Sequence, residues 1–307
     1  MAQLAISQVL AKLQAGQSLA RAELSNLDLS QNCLNEGNFS GAYLRRAKLH
    51  RASCWAADFS QATLILADLS ECRLEAACLR QANLTQAQLH RANLQQAIAA
   101  GVMMYGSQME QVNARQSCFD QADLRAIEAP RSRFDQASLV GAQSDAANFS
   151  QSSFATANLS QSSWHQATLV GVSLAGATLT QSRLSSALLM GANLSEADML
   201  NCDLSESDLT GAILQMTQLD CSNLWNAILM EADLRGASLY GAYFASANLS
   251  RANLRGADLR EANLENAQLD GTQFAQAKVR GALFTGASGL SPEQKQALRR
   301  QGALNLA

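Results

Sequence analysis

Residues 231–270 read EADLR GASLY GAYFA SANLS RANLR GADLR EANLE NAQLD, and this stretch decides the fold. Every fifth residue is Leu or Phe, from Leu234 to Leu269, and Ala stands two places before each. The same beat runs without insertion or deletion from Leu24 to Phe284, which makes 53 pentapeptides in one register. Taking the Leu/Phe position as the centre, 43 of the 53 centres are Leu or Phe, and 34 of the residues two places earlier are Ala. A period of five fits neither a helix of 3.6 residues per turn nor a straight strand of period two. It fits a short extended segment followed by a corner. The residues at centre-minus-two and centre point inwards, the one between them points out, and the two after the centre turn the chain.

The turn chemistry agrees. Fourteen of the 18 glycines stand at centre-plus-two, where a type II turn places a positive φ. Pro130 stands at centre-plus-one, where its fixed φ suits the same turn. Four such sides close a square coil of twenty residues, with small residues at its edges and Leu or Phe filling its axis. About 13 coils at the usual strand spacing give a rod roughly 60 Å long.

The motif A-(D/N)-L-x-x, present as Ala192-Asn193-Leu194, Ala232-Asp233-Leu234, Ala252-Asn253-Leu254 and Ala262-Asn263-Leu264, resembles that of the pentapeptide repeat family. The resemblance implies an all-β solenoid, a right-handed quadrilateral β-helix. Its motif residues build the rod rather than a site.

The expected organisation is a capping helix over residues 1–20, the repeat over 21–286, and a capping helix with a tail over 287–307. Ile6, Val9, Leu10 and Leu13 share one helical face, with Gly16 as a stop. Ser291-Pro292-Glu293-Gln294 reads as a helix start, with Arg299 and Arg300 in the last turn and Gly302 beyond it. Helices at both ends would cover apolar side chains and unpaired edges. The repeat is weakest over residues 98–146, where the centres Ala99, Ala114, Ala129 and Ser144 are undersized. Twenty residues beyond each stands an aromatic: Phe119, Phe134, Phe149 and Trp164. Each ring is expected to fill the space its small neighbour leaves.

A net charge of −3 gives no strong field. The seven cysteines form no C-x-x-C pair, which argues against a disulfide framework and a zinc site and suits a reducing cytoplasm. No run of eighteen apolar residues and no leader pattern is present, so membrane insertion is not expected. His50, His90 and His165 stand singly at corners, and no phosphate loop or nucleophile motif occurs, so neither enzymatic activity nor a cofactor is expected.

Two surface groupings stand out. Val170, Leu188, Met190, Ile228 and Met230, with Ile213 on the adjoining side and Trp225 at a neighbouring corner, put apolar side chains at outward positions and form the candidate protein-contact surface. Tyr240 and Tyr243 flank one corner. Arg45, Arg46, Lys48, His50 and Arg51, with Arg91 further along, form a basic patch without interleaved stacking aromatics, so direct nucleic-acid binding is not expected. The expected function is a non-enzymatic scaffold or regulatory module that presents flat faces to a protein partner. The resemblance implies two alternatives. One is a DNA-mimic modulator of a topoisomerase such as DNA gyrase, against which 26 acidic residues facing 23 basic ones argue. The other is a self-associating element, since in some relatives the C-terminal segment makes a dimer.

Overall fold

The computed structural model describes residues 4–306. The chain forms two units, Met1–Ala157 and Asn158–Ala307. Both are built from one rung. In the first unit Glu23, Asp28, Cys33 and Asn38 each open a column of parallel bridges, to Tyr43, Lys48, Ser53 and Asp58. In the second unit Asn158, Ser163, Thr168 and Ser173 do the same, to Thr178, Arg183, Leu188 and Asn193. The coil is therefore twenty residues with four sides. Each bridge is isolated because a single residue of each pentapeptide pairs with the next coil before the chain turns.

Four of the five amides in a pentapeptide are used by backbone carbonyls. Tyr43 N–H donates to Ala22 O at 2.9 Å, Leu44 N–H to Thr63 O at 2.8 Å and Arg46 N–H to Ile65 O at 2.9 Å. Ala47 N–H closes the corner on Leu44 O at 3.0 Å. The fifth amide, at centre-plus-one, faces outwards, and side chains take it up. Asp58 accepts from Ser60 N–H at 2.9 Å, Asn83 from Thr85 N–H at 3.0 Å and Asn193 from Ser195 N–H at 3.1 Å. This is why Asp and Asn recur at centre-minus-one: a short acceptor there reaches the amide two residues on. Where Ser53, Ser138 and Ser238 occupy that place, the acceptor comes from the coil before. Asn35 binds Trp55 N–H, Asp120 binds Val140 N–H and Asp220 binds Tyr240 N–H, and each also accepts from the serine hydroxyl.

Every centre-plus-two residue from Asn26 to Gly286 has positive φ, and most are not glycine: Gln, Arg, Glu and Ala stand there with φ near that of Gln61 at 57°. Such a conformation costs a non-glycine residue about 1–2 kcal/mol. Hydrogen bonding on both sides of the corner offsets that cost, so glycine is favoured there but not required.

Leu and Phe centres and the Ala residues two places earlier fill the interior; Leu44, Leu49, Ala47 and Ala52 are among those wholly buried. Phe39 and Phe59, one coil apart, stack with ring centroids 4.9 Å apart and planes 8° apart, and Phe134 and Phe154 repeat both values. That separation is the strand spacing itself. In the weak stretch Ala99, Ala114 and Ala129 are wholly buried. Phe134 meets Phe119 and Phe149 edge-on at 5.8 and 5.6 Å, so the rings make one continuous cluster inside the coil. Ser144 is buried there too, and its Oγ has no partner among the described residues.

Helix α1 spans Ile6–Gln14 and α2 spans Pro292–Arg300. Of the four apolar residues on α1, Val9 alone is wholly buried, while Ile6 is 39% exposed, so the covering stripe is narrower than its spacing suggests. Leu13 seats on Gly37, where an added Cβ would lie 2.9 Å from Leu13 Cδ2 and 2.6 Å from the Phe39 ring. Ser291 caps α2: Gln294 N–H donates to Ser291 Oγ at 3.2 Å, and Ser291 N–H donates to Gln294 Oε1 at 2.9 Å. Beyond α2 the chain returns, and Leu304 pairs with Leu283 as a last rung.

Candidate protein-contact surface

Among the described residues, no group of three or more His, Cys, Asp and Glu is placed to hold a metal ion, and no helix is long and apolar enough to cross a membrane. The acidic residues are largely engaged within the fold. Asp123, Asp233 and Asp258 each hold the Arg two residues on at 2.7 Å, across the corner, and the guanidinium keeps each carboxyl below its usual pKa range.

The apolar candidates lie in the second unit on two adjoining sides and the corner between them. Leu188 and Ile228 belong to one column, Thr168–Leu188–Asp208–Ile228. Val170, Met190 and Met230 stand on the following corner, and Ile213 on the next side, between Asn193 and Asp233. Leu188 and Ile213 are each 40% exposed, and Val170 is half-buried. Gly191 and Gly211 form the corner beside them, and an added Cβ at either would meet nothing within 4 Å. The corner between the two sides is therefore bare.

The surface is divided by a rung absent from the sequence-level picture. Asp208 lies between Leu188 and Ile228, and Thr210 between Met190 and Met230. Thr210 donates to Asp208 from its N–H at 2.9 Å and from its hydroxyl at 2.6 Å. Trp225 stands at the preceding corner, its N–H held by Asn223 Oδ1 at 3.1 Å, and Tyr243 follows Asn223 in the same column. Tyr240 faces away to the corner before, with the Arg260 guanidinium 5.8 Å from its ring centroid. Met216 is the residue the sequence reading missed. It is the most exposed large apolar side chain among the described residues, at 63%, and stands on the corner after Ile213. Its signal was a bulky apolar residue at centre-plus-two, a place held mostly by Gln, Gly, Arg and Glu.

The basic candidates lie in the first unit and divide into two kinds. Arg51 grips Glu71 through Nε at 2.8 Å and Nη2 at 3.3 Å, and that contact holds the Glu71 carboxyl below its usual range, with His50 and Arg91 adding to the effect. Arg91 donates to Gln111 at 3.0 Å, and Lys48 lies 3.9 Å from Asp28. Arg45 and Arg46 are exposed and enter no ion pair among the described residues. Two thiols the sequence did not connect also meet: Cys54 and Cys72, both wholly buried, have sulfurs 3.6 Å apart.

No curated protein matches the chain. Solved structures similar to it include HetL, a pentapeptide repeat protein involved in heterocyst differentiation regulation from the cyanobacterium Nostoc sp. strain PCC 7120. It is 24% identical, with 94% of this chain and 99% of that one covered and a TM-score of 0.20. A pentapeptide repeat protein of the Arabidopsis thaliana thylakoid lumen is 35% identical over 34% of this chain and 80% of its own, with a TM-score of 0.20. Full-length QnrB1, a plasmid-mediated fluoroquinolone resistance protein, is 16% identical over 89% of this chain and 98% of its own, with a TM-score of 0.18. The family model for pentapeptide repeats, whose members fold as right-handed quadrilateral β-helices, matches in eight copies within residues 22–53, 47–86, 87–125, 147–185, 187–226, 222–251 and 247–286. These copies span most of the chain and fall within the run of twenty-residue coils, and the chain belongs to the pentapeptide repeat family.

Proposed function

We propose that this chain is a non-enzymatic binding scaffold whose second unit holds a protein partner across the corner between the Leu188 and Ile213 sides. In this reading each unit winds as a right-handed quadrilateral β-helix, and its faces are rigid platforms. The observation that carries the reading is the gathering of exposed apolar side chains around the bare Gly191–Gly211 corner. Elsewhere outward positions carry mainly Asn, Asp, Ser, Gln and Arg. Apolar groups that a rigid fold leaves in water gain by burial in a partner, at about 25 cal/mol per Å² removed from water. The Asp208–Thr210 rung supplies a polar point at the centre, which favours one orientation of the partner over others.

The test is affinity purification from the source cells with wild-type protein and a Met190→Glu, Met216→Glu, Met230→Glu variant. Unchanged circular dichroism would confirm that the variant keeps its fold. The partner is expected with wild type and to be lost with the variant. Equal recovery by both removes this surface from consideration. Light scattering at several concentrations separates a heterologous partner from a second copy of the chain.

A further inference from the structure

The first unit carries a second strip, independent of the surface above. Glu23, Tyr43, Thr63, Asn83 and Met103 run in one bridge column. The adjoining corner stacks Arg45, Ile65, Thr85, Tyr105 and Arg125 one coil apart, through bonds such as Arg46 N–H to Ile65 O and Gln86 N–H to Tyr105 O, each at 2.9 Å. Tyr43 is 50% exposed, Tyr105 48% and Met103 42%, and Leu66 stands on the same corner. The middle is small and polar: Thr85 donates its N–H and hydroxyl to Asn83 Oδ1, at 3.0 and 2.7 Å. Apolar groups thus stand at both ends of a polar saddle.

The charge on this strip is positive. Among the described residues Arg45 and Arg46 have no ion pair, whereas the nearby acids are engaged. Asp123 is clamped by Arg125, whose guanidinium also sits 6.0 Å from the Tyr105 ring centroid, and Glu23 accepts from Ser25 N–H at 3.0 Å. Two unpaired guanidinium groups beside exposed aromatics are suited to a carboxylate with an apolar neighbour. They are too few to follow a phosphate backbone, which needs a longer run of unpaired cations.

We propose that the strip formed by Tyr43, Arg45, Arg46, Leu66, Met103 and Tyr105 docks an acidic segment of a partner protein. That segment carries two apolar side chains about 14 Å apart, the rise of the three coils from Tyr43 to Met103. In an extended segment that span is about four residues. One apolar group seats at Tyr43 and Leu66, the other at Met103 and Tyr105, and the carboxylates lie over Arg45 and Arg46.

The experiment is selection of a random peptide library displayed on phage against the full chain, followed by affinity measurement on the peptides recovered. Those peptides are expected to be rich in Asp and Glu, with apolar pairs at that spacing, and to weaken as salt is raised. The Arg45→Glu, Arg46→Glu variant is expected to weaken them on the order of tenfold or more. Tyr43→Ser, Tyr105→Ser should act similarly; at position 105 the serine stands on the corner that already holds Ser25, and Tyr43 stands between the polar Glu23 and Thr63 in its column. Met190→Glu, Met230→Glu should leave them unchanged, so the outcome is separate from that for the second-unit surface. The proposal is overturned if no acidic peptides are enriched, if binding survives both first-unit variants, or if oligothymidylate displaces the peptides, which would assign the strip to nucleic acid.

Discussion

Replacing Ala99 and Phe119 together tests whether the weak stretch of the repeat is compensated packing. The two stand one coil apart on the same side, as Ile98 bridges Cys118, and both are wholly buried. Ala99→Leu alone adds three carbons to a closed interior and should cost about 1–3 kcal/mol by overpacking. Phe119→Leu alone leaves a void and removes the edge contact with Phe134, for a loss of roughly 2–3 kcal/mol. An Ala–Phe pair and a Leu–Leu pair carry the same number of side-chain carbons. The double variant should therefore lose only about 1 kcal/mol, chiefly the aromatic contact, with a coupling energy of roughly 2 kcal/mol or more. Equilibrium urea denaturation of all four proteins gives the global values. Native-state hydrogen exchange at the Ala99 and Phe119 amides, which donate at 2.7 Å to Cys118 O and Ser138 O, gives the local ones. Strict additivity, or an Ala99→Leu protein more stable than wild type, would refute the compensation.

Asn193→Ala removes the acceptor for both the N–H and the hydroxyl of Ser195 and should cost about 1 kcal/mol in denaturant titration. Asn193→Asp should be nearly neutral, because Asp203 already serves Ser205 N–H in the same way. Ser144→Ala removes a buried hydroxyl that has no partner and should raise stability by about 1 kcal/mol; a loss would mean the hydroxyl is satisfied. Burial pushes the Cys202 thiol from 9.0 up to about 11. The folded chain thus holds this proton more tightly than the unfolded one, and the associated stability is intact below about pH 9 and lost as pH rises towards 11. Denaturation at pH 8 and pH 11, run on wild type and Cys202→Ala, should show the alkaline loss shrinking in the variant by up to about 2–3 kcal/mol.

The fivefold beat announced the coil because it is local chemistry repeated. Small residues at centre-minus-two, large apolar centres and a left-handed corner each follow from a few neighbouring side chains. Ser291 and Gln294 likewise encode the start of α2 within four residues. Glycine marks the corner in the sequence without being required there. Gln61, Arg91 and Glu71 adopt the same φ because backbone bonds to the next coil hold them there.

By itself, then, the sequence determined which side chains face inwards, where each corner falls and which residues share a column, since all of these follow from counting along the chain. It could not determine what a side chain meets eighteen or twenty residues away. Whether Arg51 is free or held by Glu71, and whether Asn35 serves its own corner or Trp55 in the next coil, depend on rotamer and reach between stacked coils. Those contacts form only once the coils are stacked, as Phe39 and Phe59 stack with ring centroids 4.9 Å apart, and they decide which charges and apolar groups stay free on the surface.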